Sequence, residues 1–173
     1  QSMERPSFEA DRNRIMLYDR SSGGMREVTY GLDQTTHETL WSADSQNLYF
    51  CSEATGTRQV FRIGVDGSGL KQVTNGYFDF SRVGQVQEGP WLLIKQQNSL
   101  RPNELALVNR DDGTVLTITD ANGAIYESLE LPRVEQRYFT ATDGQKIHSW
   151  VILPPDFNAE DEKKWPMLTY CQG

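Results

Sequence analysis

The chain has 173 residues, of which 37% are apolar and 10% aromatic. That is enough for one ordinary domain or parts of two, and it excludes general disorder. The formal charge is −7, with Lys and Arg scattered rather than blocked; no nucleic-acid partner is expected. No membrane partner is expected either, since no apolar run approaches the ~18 residues a spanning helix needs.

Gln1-Ser2-Met3 reads as a protease-cleavage scar from recombinant expression, which would leave the natural N-terminus outside the chain. From there a repeat organises the sequence. Met25-Arg26-Glu27-Val28-Thr29, Leu70-Lys71-Gln72-Val73-Thr74 and Val115-Leu116-Thr117-Ile118-Thr119 end alike, and their closing threonines stand 45 residues apart. Each segment follows a polar turn (Asp19 to Gly24, Asp66 to Gly69, Asp111 to Gly113). Each turn follows an apolar stretch (Ile15 to Tyr18, Val60 to Val65, Leu105 to Val108). The short runs of Val, Ile, Leu, Tyr and Phe between Asp-Gly or Asn-Gly signals predict strands. The first repeat keeps its last two strands. The second has four, at Glu38 to Trp41, Leu48 to Ser52, Gln59 to Ile63 and Leu70 to Val73. The third has four near Ser81 to Val86, Trp91 to Gln96, Glu104 to Val108 and Val115 to Ile118. Four short strands in about 45 residues is the signature of a β-propeller blade. Two and a half blades do not close a ring, so residues 4–123 are expected to be part of a larger propeller.

After Gly123 the repeat stops. Residues 124–134 read as a connector. Gln136 to Thr142 and Lys146 to Leu153 form a hairpin around Asp143-Gly144, ended by Pro154-Pro155, because proline cannot donate to a ladder. Asp156 to Lys164 is a charged loop, and Pro166 to Tyr170 predicts one more apolar strand.

Candidate chemistry is sparse. Cys51 and Cys171 sit in apolar runs and read as buried free thiols. Neither pairs with His37 or His148 at zinc-ligand spacing, and Asp111-Asp112-Gly113 lacks the ligands of a calcium loop. No metal or cofactor is therefore expected. Gly67-Ser68-Gly69 is a turn rather than a Gly-x-Ser-x-Gly elbow, and both histidines read as satisfied structural residues. Trp41, Trp91, Trp150 and Trp165 read as packing residues.

The blade residues Trp41-Ser42-Ala43-Asp44-Ser45, Leu48-Tyr49-Phe50, Val65-Asp66-Gly67-Ser68-Gly69 and Gln72-Val73-Thr74 resemble blades of the TolB and prolyl oligopeptidase kind, with Ala43 and Ser45 where Pro and Gly are usual. Thr142-Asp143-Gly144, Trp150-Val151-Ile152-Leu153-Pro154-Pro155 and Trp165-Pro166-Met167-Leu168 resemble the entry to the α/β-hydrolase domain of the prolyl oligopeptidase family. The resemblance implies an all-β segment: a partial propeller of four-stranded antiparallel blades, then the first strands of a truncated hydrolase domain at residues 135–173. It implies a parent serine peptidase of the bacterial dipeptidyl or acylaminoacyl peptidase type, acting on peptide N-termini and often periplasmic. Its Ser, Asp and His would lie beyond residue 173, leaving this segment inactive. By motif position Gln172, followed by Gly173, falls where the family carries a Tyr or His near the oxyanion hole. Gln172 either donates there, through its amide or its backbone, or merely begins the loop. The rival reading is a non-catalytic propeller that binds a protein or peptide. Open blade edges also predict self-association of the segment.

Overall fold

The computed structural model describes residues 1–161 and 163–171. Ten strands precede the connector: β1 (Met16–Tyr18), β2 (Met25–Glu27), β3 (Thr36–Trp41), β4 (Asn47–Ala54), β5 (Thr57–Gly64), β6 (Lys71–Gln72), β7 (Asp79–Gln85), β8 (Trp91–Asn98), β9 (Arg101–Asn109) and β10 (Val115–Thr117). They form an antiparallel pair β1-β2 and two four-stranded antiparallel sheets, β3-β4-β5-β6 and β7-β8-β9-β10. The repeat read from the sequence is thus a run of blades: half of a first, a complete second and a complete third.

Strand alternation explains how the blades stack. Successive side chains point to opposite faces of a sheet. In the second blade Leu48, Phe50 and Ile63 point one way, joining Ile15 and Val28 of the first blade in one core. Tyr49, Cys51, Val60 and Val73 point the other way, joining Phe80, Leu92, Ile94, Ala106 and Val108 of the third blade in a second core. The second blade is therefore buried on both faces. The third is buried on one; its far face leaves Leu93, Leu105, Leu116 and Ile118 exposed.

The closing threonines have one role in all three blades. Thr29, Thr74 and Thr119 each accept, through Oγ1, the backbone N–H of the residue 14 positions earlier, namely Ile15 (3.1 Å), Val60 (2.9 Å) and Leu105 (2.9 Å). In the first two blades the donor is buried between blades and needs a partner, and a short β-branched hydroxyl supplies it without leaving the sheet; the third bond, at Leu105, repeats the geometry on an exposed face. The Asp-Gly turns also touch the preceding blade. A Cβ on Gly113, at φ +81°, would lie 2.1 Å from the Val73 carbonyl oxygen, so only glycine fits.

β3 and β7 lie side by side, one from each complete blade. Each loses register partway, between His37 and Leu40 and between Ser81 and Gly84. The bulged residues Glu38 (φ +53°) and Arg82 (φ +58°) are left-handed although neither is glycine. The Glu38 carboxylate accepts the Arg82 backbone N–H across the blade boundary.

Beyond the blades come a single helical turn, α1 (Gly123–Tyr126), and the hairpin β11 (Arg133–Thr140) with β12 (Lys146–Leu153). The hairpin pairs from Arg133 with Leu153 through Thr140 with Lys146. One expectation fails here. Pro166 to Tyr170 is not a strand, and Met167, Leu168 and Tyr170 are 84%, 99% and 84% exposed. An apolar run becomes a strand only where a ladder partner takes its N–H and C=O groups, and no described residue pairs with this one.

Candidate functional site

The hairpin sits over the blade ends that carry the β4–β5 turn, the β6–β7 loop and the β8–β9 turn. One face of it, bearing Gln136, Tyr138, His148 and Trp150 by the pairing register, supplies the contacts. Gln136 Nε2 donates to the Thr55 carbonyl at 3.3 Å, and Trp150 Nε1 donates to the Gly56 carbonyl at 3.2 Å. Tyr77, from the β6–β7 loop, meets the Trp150 ring edge-on at 5.3 Å. The His148 ring lies 5.2 Å from both Tyr138 and Trp150, against Gly56. Two clefts flank the contact. One of about 260 Å³ is lined by Gln59, Gln72, Asn75, Tyr77 and Gln136; the other, about 190 Å³, by Asp79, Ser99, Leu100, Val134 and Trp150. The lining mixes apolar and polar groups and is uncharged apart from Asp79, which suits binding and orientation more than bond-breaking chemistry.

Neither histidine is poised as a base. His37 Nε2 lies 2.9 Å from Glu53 Oε1, which also takes Arg58 at 3.2 Å. His148 packs structurally, but its Nε2 is buried without a partner, where a fully satisfied ring was expected. Among the described residues no Ser, Thr or Cys side chain hydrogen-bonds to either ring. Burial pushes the Cys51 thiol up to about 12, so it stays protonated and unreactive. Cys171 departs from expectation: it is exposed, because the run Pro166 to Tyr170 before it pairs with no strand among the described residues. Gln172 and Gly173, the candidate oxyanion-loop residues, lie outside the described residues.

The Asp-Gly carboxylates serve their own turns. Asp66 accepts the Ser68 N–H (2.9 Å) and hydroxyl (2.8 Å), and Asp112 accepts the Thr114 N–H at 2.8 Å. These bonds hold both carboxyls below their ordinary range. Of the tryptophans, Trp91, Trp150 and Trp165 are half-buried and Trp41 is 47% exposed. Sequence reasoning missed Gly56, Tyr77 and Gln136 as junction residues. Ala54-Thr55-Gly56-Thr57 reads only as a turn, and its contact with His148 spans 92 positions.

No protein-family model matches the chain. It is 32% identical over 99% of its length to Dipeptidyl-peptidase 5 of Porphyromonas gingivalis, and 31% identical over 99% to that of Porphyromonas endodontalis. The chain spans about a quarter of the length of these curated relatives. Among solved structures, it superposes on the AtxE2 isopeptidase with Astexin3-dC4 bound (TM-score 0.71, 18% identity, 92% of this chain and 24% of that one). It also superposes on the Pyrococcus horikoshii acylaminoacyl peptidase (TM-score 0.65, 19% identity, 82% of this chain and 21% of that one). The fold shared with these structures is that of propeller blades leading into a hairpin. Together with the sequence likeness, it makes the chain similar, over nearly its whole length, to part of a peptidase of the prolyl oligopeptidase kind.

Proposed function

We propose that the chain is the propeller-to-hydrolase junction of a serine exopeptidase that releases dipeptides or similar short units from peptide N-termini. In this reading the blades help wall a chamber that admits peptides and excludes folded protein. The hairpin opens the hydrolase layer and is fixed to the blade ends by Gln136, His148 and Trp150. The catalytic Ser, Asp and His lie outside residues 1–173, and the segment alone is inactive. Gln172 and Gly173 lead toward the oxyanion hole. The observation that most supports the reading is the order of parts. Blades with equivalent threonine bonds are followed, after a short connector, by a hairpin docked on their ends, and the likeness to Dipeptidyl-peptidase 5 of Porphyromonas gingivalis runs through all of them.

The test is a dipeptidyl-chromogen assay on the whole protein containing this chain, with and without a serine-directed inhibitor. Cleavage abolished by the inhibitor is expected, with none from the isolated segment. Robust cleavage that ignores the inhibitor would overturn the mechanism. A turnover number unchanged by Gln172→Ala would remove that side chain from the oxyanion hole.

A further inference from the structure

The dipeptide Asn-Gly occurs twice in the chain, at Asn75-Gly76 after the second blade's closing threonine and at Asn122-Gly123 at the start of α1. An asparagine followed by glycine can lose its amide to its own backbone. The next residue's nitrogen attacks the side-chain carbonyl carbon, and glycine has no side chain to obstruct it. The attack needs a peptide unit free to turn, a nitrogen able to shed its proton and a polarised side-chain carbonyl. The two sites differ in all three respects.

At Asn122-Gly123 the peptide unit is held at both ends. The Asn122 carbonyl accepts the N–H groups of Ile125 (3.0 Å) and Tyr126 (3.1 Å), and the Gly123 N–H donates to the Asp120 carbonyl at 3.4 Å. The Asp120 carboxylate also crowds Gly123, since a Cβ there would stand 2.0 Å from Oδ2. A negative charge so close opposes loss of the amide proton. At Asn75-Gly76 neither the Asn75 carbonyl nor the Gly76 N–H bonds to any described residue, and a Cβ on Gly76 would meet nothing within 4 Å. Asn75 is exposed, and its Oδ1 accepts Gln72 Nε2 at 2.9 Å. The same Gln72 nitrogen donates to the Thr74 carbonyl at 2.8 Å, which fixes it in place. A fixed donor at that oxygen draws charge from the carbon under attack and stabilises the oxyanion that forms.

We propose that Asn75 is a self-modifying site that converts without an enzyme to aspartate and isoaspartate, and that the isoaspartyl form loosens the hairpin's seat on the blades. The Gly76 nitrogen gives its proton to water or hydroxide and bonds to Asn75 Cγ. The Cγ–Nδ2 bond breaks, and the nitrogen leaves as ammonia, taking a proton back from water. Water then opens the succinimide at either carbonyl, so one water enters, one ammonia departs and a carboxylate remains. Aspartate suits the blade: the next copy carries Asp120 at the corresponding position, as it carries Glu104 in place of Gln59. Isoaspartate instead routes the main chain through the side-chain carbon and lengthens it by a methylene between Thr74 and Gly76. The Gly76 carbonyl accepts Gln59 Nε2 at 3.1 Å, and Tyr77 beside it is the ring that meets Trp150. Lengthening the chain there shifts both. The conversion is a property of this chain's own residues and does not depend on the peptidase reading.

The test ages the whole protein containing this chain at mildly alkaline pH, folded and in urea. Conversion is mapped by peptide mass spectrometry, with isoaspartyl methyltransferase labelling to separate the two products. In the folded protein Asn75 should convert at least about fivefold faster than Asn122. In urea the two sites, now alike, should convert at similar rates. Gln72→Met removes the fixed donor and should slow Asn75 at least about threefold in the folded protein while changing nothing in urea. The indole N–H resonance of Trp150 should move in the isoaspartyl fraction and stay in place in Asn75→Asp. Folded-state conversion at Asn122 as fast as at Asn75, the same bias persisting in urea, or Gln72→Met without effect overturns the site. A Trp150 resonance unmoved by isoaspartate overturns the effect on the hairpin.

Discussion

Replacing Gly56 with alanine probes the blade–hairpin junction most sharply. Gly56 has φ +76°, and an added Cβ would stand 2.2 Å from His148 Cε1, 2.6 Å from Nδ1 and 3.0 Å from Trp150 Nε1. Two separable costs follow. A left-handed alanine costs about 1–2 kcal/mol wherever it sits. Forcing the imidazole aside is an overpacking cost of about 1–3 kcal/mol. It also threatens the Trp150 bond to the Gly56 carbonyl, worth about 1 kcal/mol. Gly56→Ala should therefore destabilise by about 2–5 kcal/mol in urea denaturation followed by tryptophan fluorescence. In a His148→Ala background the imidazole obstruction is gone, and the same change should cost the conformational part and whatever the tight 3.0 Å approach to Trp150 Nε1 adds. The double-mutant cycle should thus show a coupling of about 1–3 kcal/mol. Additive costs within about 0.5 kcal/mol would mean that His148 does not rest on Gly56, and the docking of the hairpin would be wrong.

Four other outcomes are expected. Thr74→Val removes the acceptor of the buried Val60 N–H and the donor to Gln59 Oε1, so it should cost about 2 kcal/mol in the same denaturation assay. The Asp19 carboxyl is held down from 3.8 to about 2 by the Ser21 hydroxyl, the Ser22 hydroxyl and the Ser21 N–H. A folded value below the unfolded one contributes stability above about pH 4 that fades as pH falls toward 2; Ser21→Ala with Ser22→Ala should flatten that part of an acid titration. An alkylating reagent at mildly alkaline pH should modify exposed Cys171 and spare Cys51 until the chain unfolds, as read by peptide mass spectrometry. Finally, the apolar far face of the third blade should drive self-association of the segment, which Leu93→Lys with Leu105→Lys should reduce in light scattering.

The blades were legible because each closing threonine answers a local demand. Thr29, Thr74 and Thr119 must meet a strand amide 14 residues back, so their spacing carries the repeat. The Asp-Gly turns were legible for the same reason: Asp66 and Asp112 bond within two residues of themselves. What stayed hidden depends on distant partners. Glu38 and Arg82 look like ordinary strand residues, and only the adjoining blades force them into bulges. Gly56 looks like a turn glycine until His148 arrives from the hairpin. Pro166 to Tyr170 carries the composition of a strand, but composition supplies no ladder partner. The clefts were invisible because equivalent residues, Gln59 and Glu104 or Asn75 and Asp120, become comparable only once the strand register is known.

The measurement that bears most directly on the account is covalent labelling of the whole protein with a fluorophosphonate, followed by mapping of the adduct. The account predicts one modified serine, located outside residues 1–173, and loss of dipeptide release in step with labelling. An adduct on a serine within this chain, or dipeptide release that persists unlabelled, would contradict it.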